Sequence, residues 1–301
     1  MNKVKILTDS CADMGKELRD KYDVDYLKMT VLWGGEEKLA SCDWDIYTPK
    51  EFYDAMRGGL RITTQQVSQV EFETVFNKYL DEGYDIVYIA CSSALSSSYA
   101  VGCRVANDIM EKREGAKIIC VDPKNACGGE ALIVIDAAKF LAETNADAQG
   151  VADHVNENSK FALQFATTGS LTYLKNAGRV KASSAFFGNL FGIKPIIISD
   201  ADGANVAVKK VKGRRNAMDE CVDMLNREMN FDGHKYPVSE QTVYVGHADC
   251  IADAEYLADR VRQVIKPKDV YVNVIGPIIG ASVGPDTVGV YGFGRPVDSE
   301  A

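Results

Sequence analysis

The chain predicts an α/β protein built from two domains. Short apolar runs rich in β-formers alternate with amphipathic stretches of helical period, the pattern of a mostly parallel, doubly wound sheet. Polar turns close several of the early runs, so their loops would gather on one rim of that sheet. At 301 residues the chain is also long for one core and suits two domains of about 150 residues. We expect an N-terminal domain over residues 1–158 and a C-terminal domain with a mixed sheet over residues 159–301.

Taken in order, Val4 to Thr8 reads as a strand, Asp13 to Tyr22 as a helix and Asp25 to Trp33 as a second strand, with a polar loop to Tyr47. Thr48-Pro-Lys-Glu51 is a helix start, with proline at the first helical position and glutamate at the third. That helix closes at Gly58-Gly59. Arg61 to Ser68 is a hydroxyl-rich loop before a helix near Val70 to Glu82. A strand over Asp85 to Cys91 leads into a helix that runs past Met110, and a strand over Lys117 to Val121 into an apolar helix from Glu130 to Glu143.

Composition turns polar around Asn145 to Gln149, and a connecting helix reaches Asn158. Beyond it, Phe161 to Thr167 is a strand, and Thr172 to Asn176 a short helix. Ser183 to Phe191 is a strongly apolar helix. Two strands flank the hairpin turn Asp200-Ala-Asp-Gly203, and the helix Asn216 to Met229 follows. The remainder reads as a strand (Thr242 to His247), a helix (Ala252 to Ile265), a strand (Val270 to Ile275), a glycine-rich stretch to Pro285 and a last strand from Thr287.

The most suggestive stretch is Ser92 to Ser98, with five serines in seven residues between a strand and a helix. Such a turn gathers hydroxyls and free backbone N–H groups where an open α/β sheet binds anions. The plainer reading, a helix cap with small residues for tight packing, stays open. Arg179 and Arg214 each sit beside a glycine, where a guanidinium can grip a carboxylate or phosphate with two bonds, or simply be a surface charge. The apolar helix carries Phe186, Phe187 and Leu190, which read as core or as one wall of an apolar pocket. A hydroxyl rim with an apolar lining suits an amphiphile with an acid head.

Other classes are excluded or left without support. A net charge of −9 disfavours nucleic acid, which needs a basic face. No apolar run spans a bilayer and the N-terminus lacks a signal-peptide pattern, so a cytoplasmic protein is expected. The eight cysteines are scattered without a C-x-x-C pair, consistent with reduced thiols, and the three histidines have no metal-ligand spacing. No P-loop or G-x-S-x-G elbow occurs. A serine-dependent hydrolase or transferase remains the alternative, with His247 the best-placed base.

Ordered motifs extend from Val4 to Gly292: Thr8-Asp-Ser10, Ile62-Thr-Thr-Gln65, Ser92-Ser-Ala-Leu-Ser-Ser-Ser-Tyr99, Leu174-Lys-Asn-Ala-Gly-Arg-Val180, Gly192-Ile-Lys-Pro-Ile196, Val211-Lys-Gly-Arg214, His247-Ala-Asp249 and Ile275-Gly-Pro with Gly284-Pro285. In these the chain resembles the DegV family of bacterial fatty-acid-binding proteins, which includes the lipid-carrying subunits of fatty-acid kinases.

The resemblance implies one fatty acid between two α/β domains, with no other cofactor and no catalytic residue of the chain's own. It implies a carboxylate held by Thr63 and Ser93, with Ser96 in the same loop. It also implies a separate ATP-dependent fatty-acid kinase as partner, with Arg179 and Arg214 suited to the acyl phosphate or to docking. Gln66 stands where the family motif has proline, and Ala94-Leu-Ser-Ser97 where it reads Gly-Leu-Ser-Gly. Many members carry a histidine where this chain has Ser282. Serine still donates a hydrogen bond but does not carry a proton near neutral pH. Ser282 is therefore expected to assist binding, and Ile279 joins Phe186, Phe187 and Leu190 as the expected tunnel wall.

Overall fold

The computed structural model describes residues 3–183, 186, 192–231, 233 and 235–297. The first half alternates as predicted: β1 (Lys3–Asp9), α1 (Lys16–Tyr22), β2 (Val24–Leu27), β3 (Thr30–Trp33), β4 (Glu36–Leu39), α2 (Pro49–Arg57), β5 (Thr63–Gln65), α3 (Gln69–Asp81), β6 (Tyr84–Ile89), α4 (Ser98–Lys112), β7 (Ile118–Val121), α5 (Cys127–Thr144) and α6 (Ala148–Asn158). The second half comprises β8 (Ala162–Thr167), α7 (Thr172–Ala177), β9 (Ile193–Ser199), β10 (Asn205–Lys212), α8 (Arg214–Met229), β11 (Thr242–His247), α9 (Ile251–Val264), β12 (Asp269–Val274), α10 (Pro277–Val283) and β13 (Val288–Phe293).

Three sheets result. The first is wholly parallel, in the order β2-β1-β6-β7. Its central strands are apolar on both faces because helices cover both, which is why they read as unbroken hydrophobic runs. The second is mixed, in the order β10-β9-β8-β13-β11-β12. The chain's last strand, β13, lies inside it, antiparallel to both β8 and β11. The third is small and antiparallel, in the order β4-β3-β5.

That third sheet is where the sequence reading falls short. Asp25 to Trp33 reads as one strand, but the chain leaves the parallel sheet after Leu27, and Thr30–Trp33 pairs instead with β4 and β5. Both partners fall in stretches read as loops, since their polar residues hide a pairing that only tertiary contact supplies. The glycine-rich stretch before β13 likewise contains α10, started by Pro277 at its first turn. The predicted start of α2 forms as a full capping box: Thr48 Oγ1 accepts from the Glu51 N–H at 3.2 Å, and the Glu51 carboxylate accepts from the Thr48 N–H at 2.8 Å.

Helix α5 packs between the parallel and mixed sheets, which explains why it is apolar nearly all round. Closest approach falls at Gly128. A Cβ there would sit 2.4 Å from the Tyr244 ring on β11 and 2.5 Å from the Tyr291 ring on β13. In an open helix Gly→Ala is favourable by about 1 kcal/mol. For Gly128→Ala we expect the opposite sign, a loss of about 1–3 kcal/mol from overpacking. Urea denaturation reads this as a lower midpoint, and an unchanged or higher midpoint would contradict the close packing.

Candidate functional site

Between the two larger sheets lies a cavity of about 480 Å³, within the usual size of small-molecule sites. Its floor and walls are Met29, Cys91, Ala126, Ala166, Leu174, Ile197, Ile275, Ile278 and Ile279, with Cys11, Cys127 and Tyr291. Thr64, Ser96, Ser97, Ser282 and Arg179 lie among its polar lining. A second chamber of about 340 Å³ adjoins it, and Thr64, Arg179 and Ser282 border both. In a chain with 43 acidic residues against 34 basic ones, no aspartate or glutamate lines either chamber among the described residues.

The serine turn divides its labour residue by residue. Ser92 is buried, and its hydroxyl donates to the Gly203 carbonyl at 2.9 Å, hooking this loop to the β9–β10 hairpin. Gly203 has a φ of 81°, and a Cβ there would lie 2.2 Å from Ser92 Oγ, so the hook needs glycine. Ser93 is exposed and turned to the outer side: its N–H donates to Asp122 at 3.2 Å and its hydroxyl accepts from Lys124 at 3.3 Å. Ser98 is buried and accepts from the Val67 N–H at 3.2 Å. Ser96, 3.0 Å from the Ser98 hydroxyl, and Ser97 are left to line the cavity. Ser97 stands at the N-cap of α4, but its side chain makes no capping hydrogen bond.

Of the other expected residues, Ser282, Ile279 and Arg179 line the cavity and Thr63 borders the second chamber. Strand alternation on β5 turns Thr64 to the opposite face from Thr63, and it is Thr64 that borders both. The Thr64 and Ser282 hydroxyls have no hydrogen-bond partner among the described residues. Arg179 follows Gly178, whose φ of 69° ends α7. Its guanidinium is braced by the carbonyls of Leu95, at 3.2 Å, and Ala177, with no carboxylate partner among the described residues.

Arg214 is not brought to the cavity; two of its nitrogens bind Asp253 of α9 at 3.0 and 2.8 Å. Phe186 is half-buried and packs beside the cavity wall with Leu174 and Ile197, without lining it. Phe187 and Leu190 lie outside the described residues.

Sequence reasoning missed the three cysteines and the isoleucine pair Ile275 and Ile278 of the floor, which are recognisable only once the two sheets meet. It also missed the support beneath them. Asp9 is fully buried, with one oxygen taking the Cys11 N–H at 2.9 Å and the other the Cys91 N–H at 2.9 Å and the Tyr88 hydroxyl at 2.7 Å. Burial raises the Asp9 carboxyl above its ordinary value, against those hydrogen bonds. Burial, with the neighbouring Asp9 charge, holds Glu130 well above the carboxylate range. Burial pushes the Cys127 thiol up as well, helped by Asp13. Both shifts favour the uncharged forms of these groups beneath the cavity floor.

Asp13 ties this floor to the second half of the chain. Its carboxylate accepts from the Gly276 N–H at 2.8 Å, while its backbone carbonyl accepts from the Tyr244 hydroxyl at 2.7 Å and from Asn273. Its other carboxylate oxygen is buried without a hydrogen bond. Burial lifts its pKa to about 7.

Comparison with known proteins agrees with this architecture. The profile described as "Uncharacterised protein, DegV family" matches residues 3–293. A DegV domain-containing protein of Clostridium perfringens is 32% identical over 294 residues, covering 98% of each chain. A DegV lipid-binding protein of Thermotoga maritima superposes with a TM-score of 0.84 at 26% identity, over 98% of this chain and 100% of the other. A second protein from that organism, described as revealing fatty-acid-binding function, gives 0.81 at 25% over the same shares.

Asp13 makes stability depend on pH in a defined direction. Its folded pKa, about 7, lies above the 3.8 of the free side chain, so its contribution is full below pH 3.8 and is lost as pH rises through 7. Asp13→Asn keeps an oxygen for the Gly276 N–H, tolerates the φ of 49° at this position and cannot ionise. Wild type should lose stability relative to this variant between pH 5 and pH 8 in paired urea titrations. Parallel pH curves would show that Asp13 does not titrate in that window.

Proposed function

The chain belongs to the DegV family, and from that membership we propose that it is a carrier for one long-chain fatty acid, which it presents to a separate ATP-dependent fatty-acid kinase. The observation that carries this reading is the pairing of a largely apolar cavity of about 480 Å³ with a rim that includes the uncommitted hydroxyls of Thr64 and Ser282 and, among the described residues, no carboxylate. The acyl chain would occupy the floor of Cys11, Ile275, Ile278 and Ile279, where burial of methylene groups contributes about 0.8 kcal/mol each. The carboxylate would lie at the rim, within reach of Thr64, Ser96 and Ser282 and of the Arg179 guanidinium. Thr63 and Ser93, which the family resemblance singles out, are the competing hydroxyls.

The lining suits a bound acid because hydroxyls and a carbonyl-braced guanidinium hold a carboxylate without bringing a competing anion. Lipid-binding relatives from Thermotoga maritima that cover the whole chain at 25% and 26% identity support the same ligand class. A carrier is favoured over a serine-dependent enzyme because neither described histidine reaches the rim. His247 is buried with Nδ1 taking the Cys250 N–H at 3.3 Å, and His154 is paired to Asp136 at 2.7 Å and stacked on Phe140. Without a base, a rim serine is a hydrogen-bond donor and not a nucleophile. Of the two arginines assigned to phosphate or kinase docking, Arg179 is the one that a kinase reaching for the carboxylate would meet.

The test is a set of single-hydroxyl deletions titrated with oleate. A hydrogen bond to a charged group contributes about 1.5–3 kcal/mol, so Thr64→Val and Ser282→Ala should each weaken binding by about tenfold or more. Ser93→Ala should change affinity little, because its hydroxyl serves Lys124. If Ser93→Ala alone weakens binding, the carboxylate sits on the outer side of the serine loop. If no hydroxyl variant matters and oleate does not bind, the carrier reading fails.

A further inference from the structure

The second chamber sets a group of polar side chains beside the apolar Met56, Leu60, Ile62 and Tyr173. Its lining brings together Arg61, Thr63, Thr64, Asn176 and Ser282, none of which has a side-chain hydrogen bond among the described residues, together with Arg179. Arg61 is exposed and has no ion-pair partner among those residues, although the chain as a whole carries a net charge of −9. Two guanidinium groups therefore face one cavity that holds no carboxylate. A fatty acid brings one negative charge and leaves one guanidinium unmatched, whereas a phosphate monoester carries about −1.5 to −2 at pH 7. Its oxygens also suit the guanidinium fork.

Size narrows the ligand further. A volume of about 340 Å³ corresponds to on the order of ten water molecules at about 30 Å³ each, far more than one phosphate group fills. The two chambers meet at Thr64, Arg179 and Ser282, so a molecule spanning both places its narrowest, carbonyl-bearing part between hydroxyl donors. We propose that the second chamber binds the phosphate-bearing head of a single-chain lipid, an acylglycerol phosphate, whose acyl chain lies in the apolar cavity. In this arrangement Thr64 and Ser282 donate to the ester carbonyl, and Arg61 and Arg179 take the phosphate. The inference rests on the carrier reading only in that an acyl chain fills the first cavity.

The experiment titrates delipidated protein with oleate, 1-oleoylglycerol and 1-oleoylglycerol 3-phosphate, each below its aggregation threshold, followed by native mass spectrometry. The phosphate lipid should bind about tenfold more tightly than the uncharged monoacylglycerol, the gain of one charge-assisted contact of about 1.4 kcal/mol. Arg61→Ala should erase that gain and shift oleate affinity by less than about twofold, with an unchanged melting temperature showing that the variant is folded. Equal binding of the phosphate and uncharged lipids, or an Arg61→Ala variant that keeps the difference, overturns the assignment. Oleate binding with exclusion of the phosphate lipid leaves the carrier reading standing and removes this one. Binding of the phosphate lipid without oleate does the reverse.

Discussion

Everything at the site depends on the turn after β1 being locked to the loop after β12. Asp13 makes that lock from both its side chain and its backbone, so the contact fixes distance and orientation together. Tyr53 reinforces it, donating from α2 to the Ile275 carbonyl at 2.7 Å. Nearby, Arg57 bridges Asp54, Asp249 and Asp286 at 2.6–2.9 Å. The arginine cluster is half exposed and adds little by itself, whereas the buried bonds of Asp13 and Tyr53 are costly to leave unmade. These buried bonds hold the turn after β1 against the loop after β12, both of which contribute to the cavity wall.

The electrostatics follow from the same burial. An acidic protein could be expected to repel an acidic ligand, yet the carboxylates nearest the floor are either bonded to backbone amides, as Asp9 is, or pushed toward neutrality, as Glu130 is. The negative surplus is left to other parts of the molecule. The charged side chains in the lining of the two chambers, among the described residues, are Arg61 and Arg179, opposite in sign to the net charge of the chain. A net charge read from composition disfavours nucleic acid but says nothing of this interior, where placement decides.

Local chemistry was legible in the sequence, and contact between the two larger sheets was not. The capping box at Thr48 and Glu51 could be read directly because helix capping is a four-residue interaction. The parallel strands were legible because burial on both faces leaves a continuous apolar signature. The small sheet escaped because Glu36–Leu39 and Thr63–Gln65 are polar and earn their strand geometry only by pairing with β3. At the site, the serine turn announced itself, but five neighbouring hydroxyls look alike until the fold assigns Ser92 to Gly203, Ser93 to Lys124 and Ser96 to the cavity. Thr63 and Thr64 differ by one step along β5, and only Thr64 also reaches the larger cavity.

The position of β13 within the mixed sheet has a consequence for biosynthesis. Strands β8 and β11 are both made earlier, yet each lacks its inner neighbour until residues 288–293 arrive to separate and join them. Tyr291, which lines the cavity, comes with that strand, and α10 precedes it by only a few residues. Until that strand is made, the cavity lacks the Tyr291 part of its wall. All four strands of the parallel sheet precede β8 in the chain, whereas the mixed sheet, and with it the enclosed cavity, is completed only by β13, which joins strands made well before it.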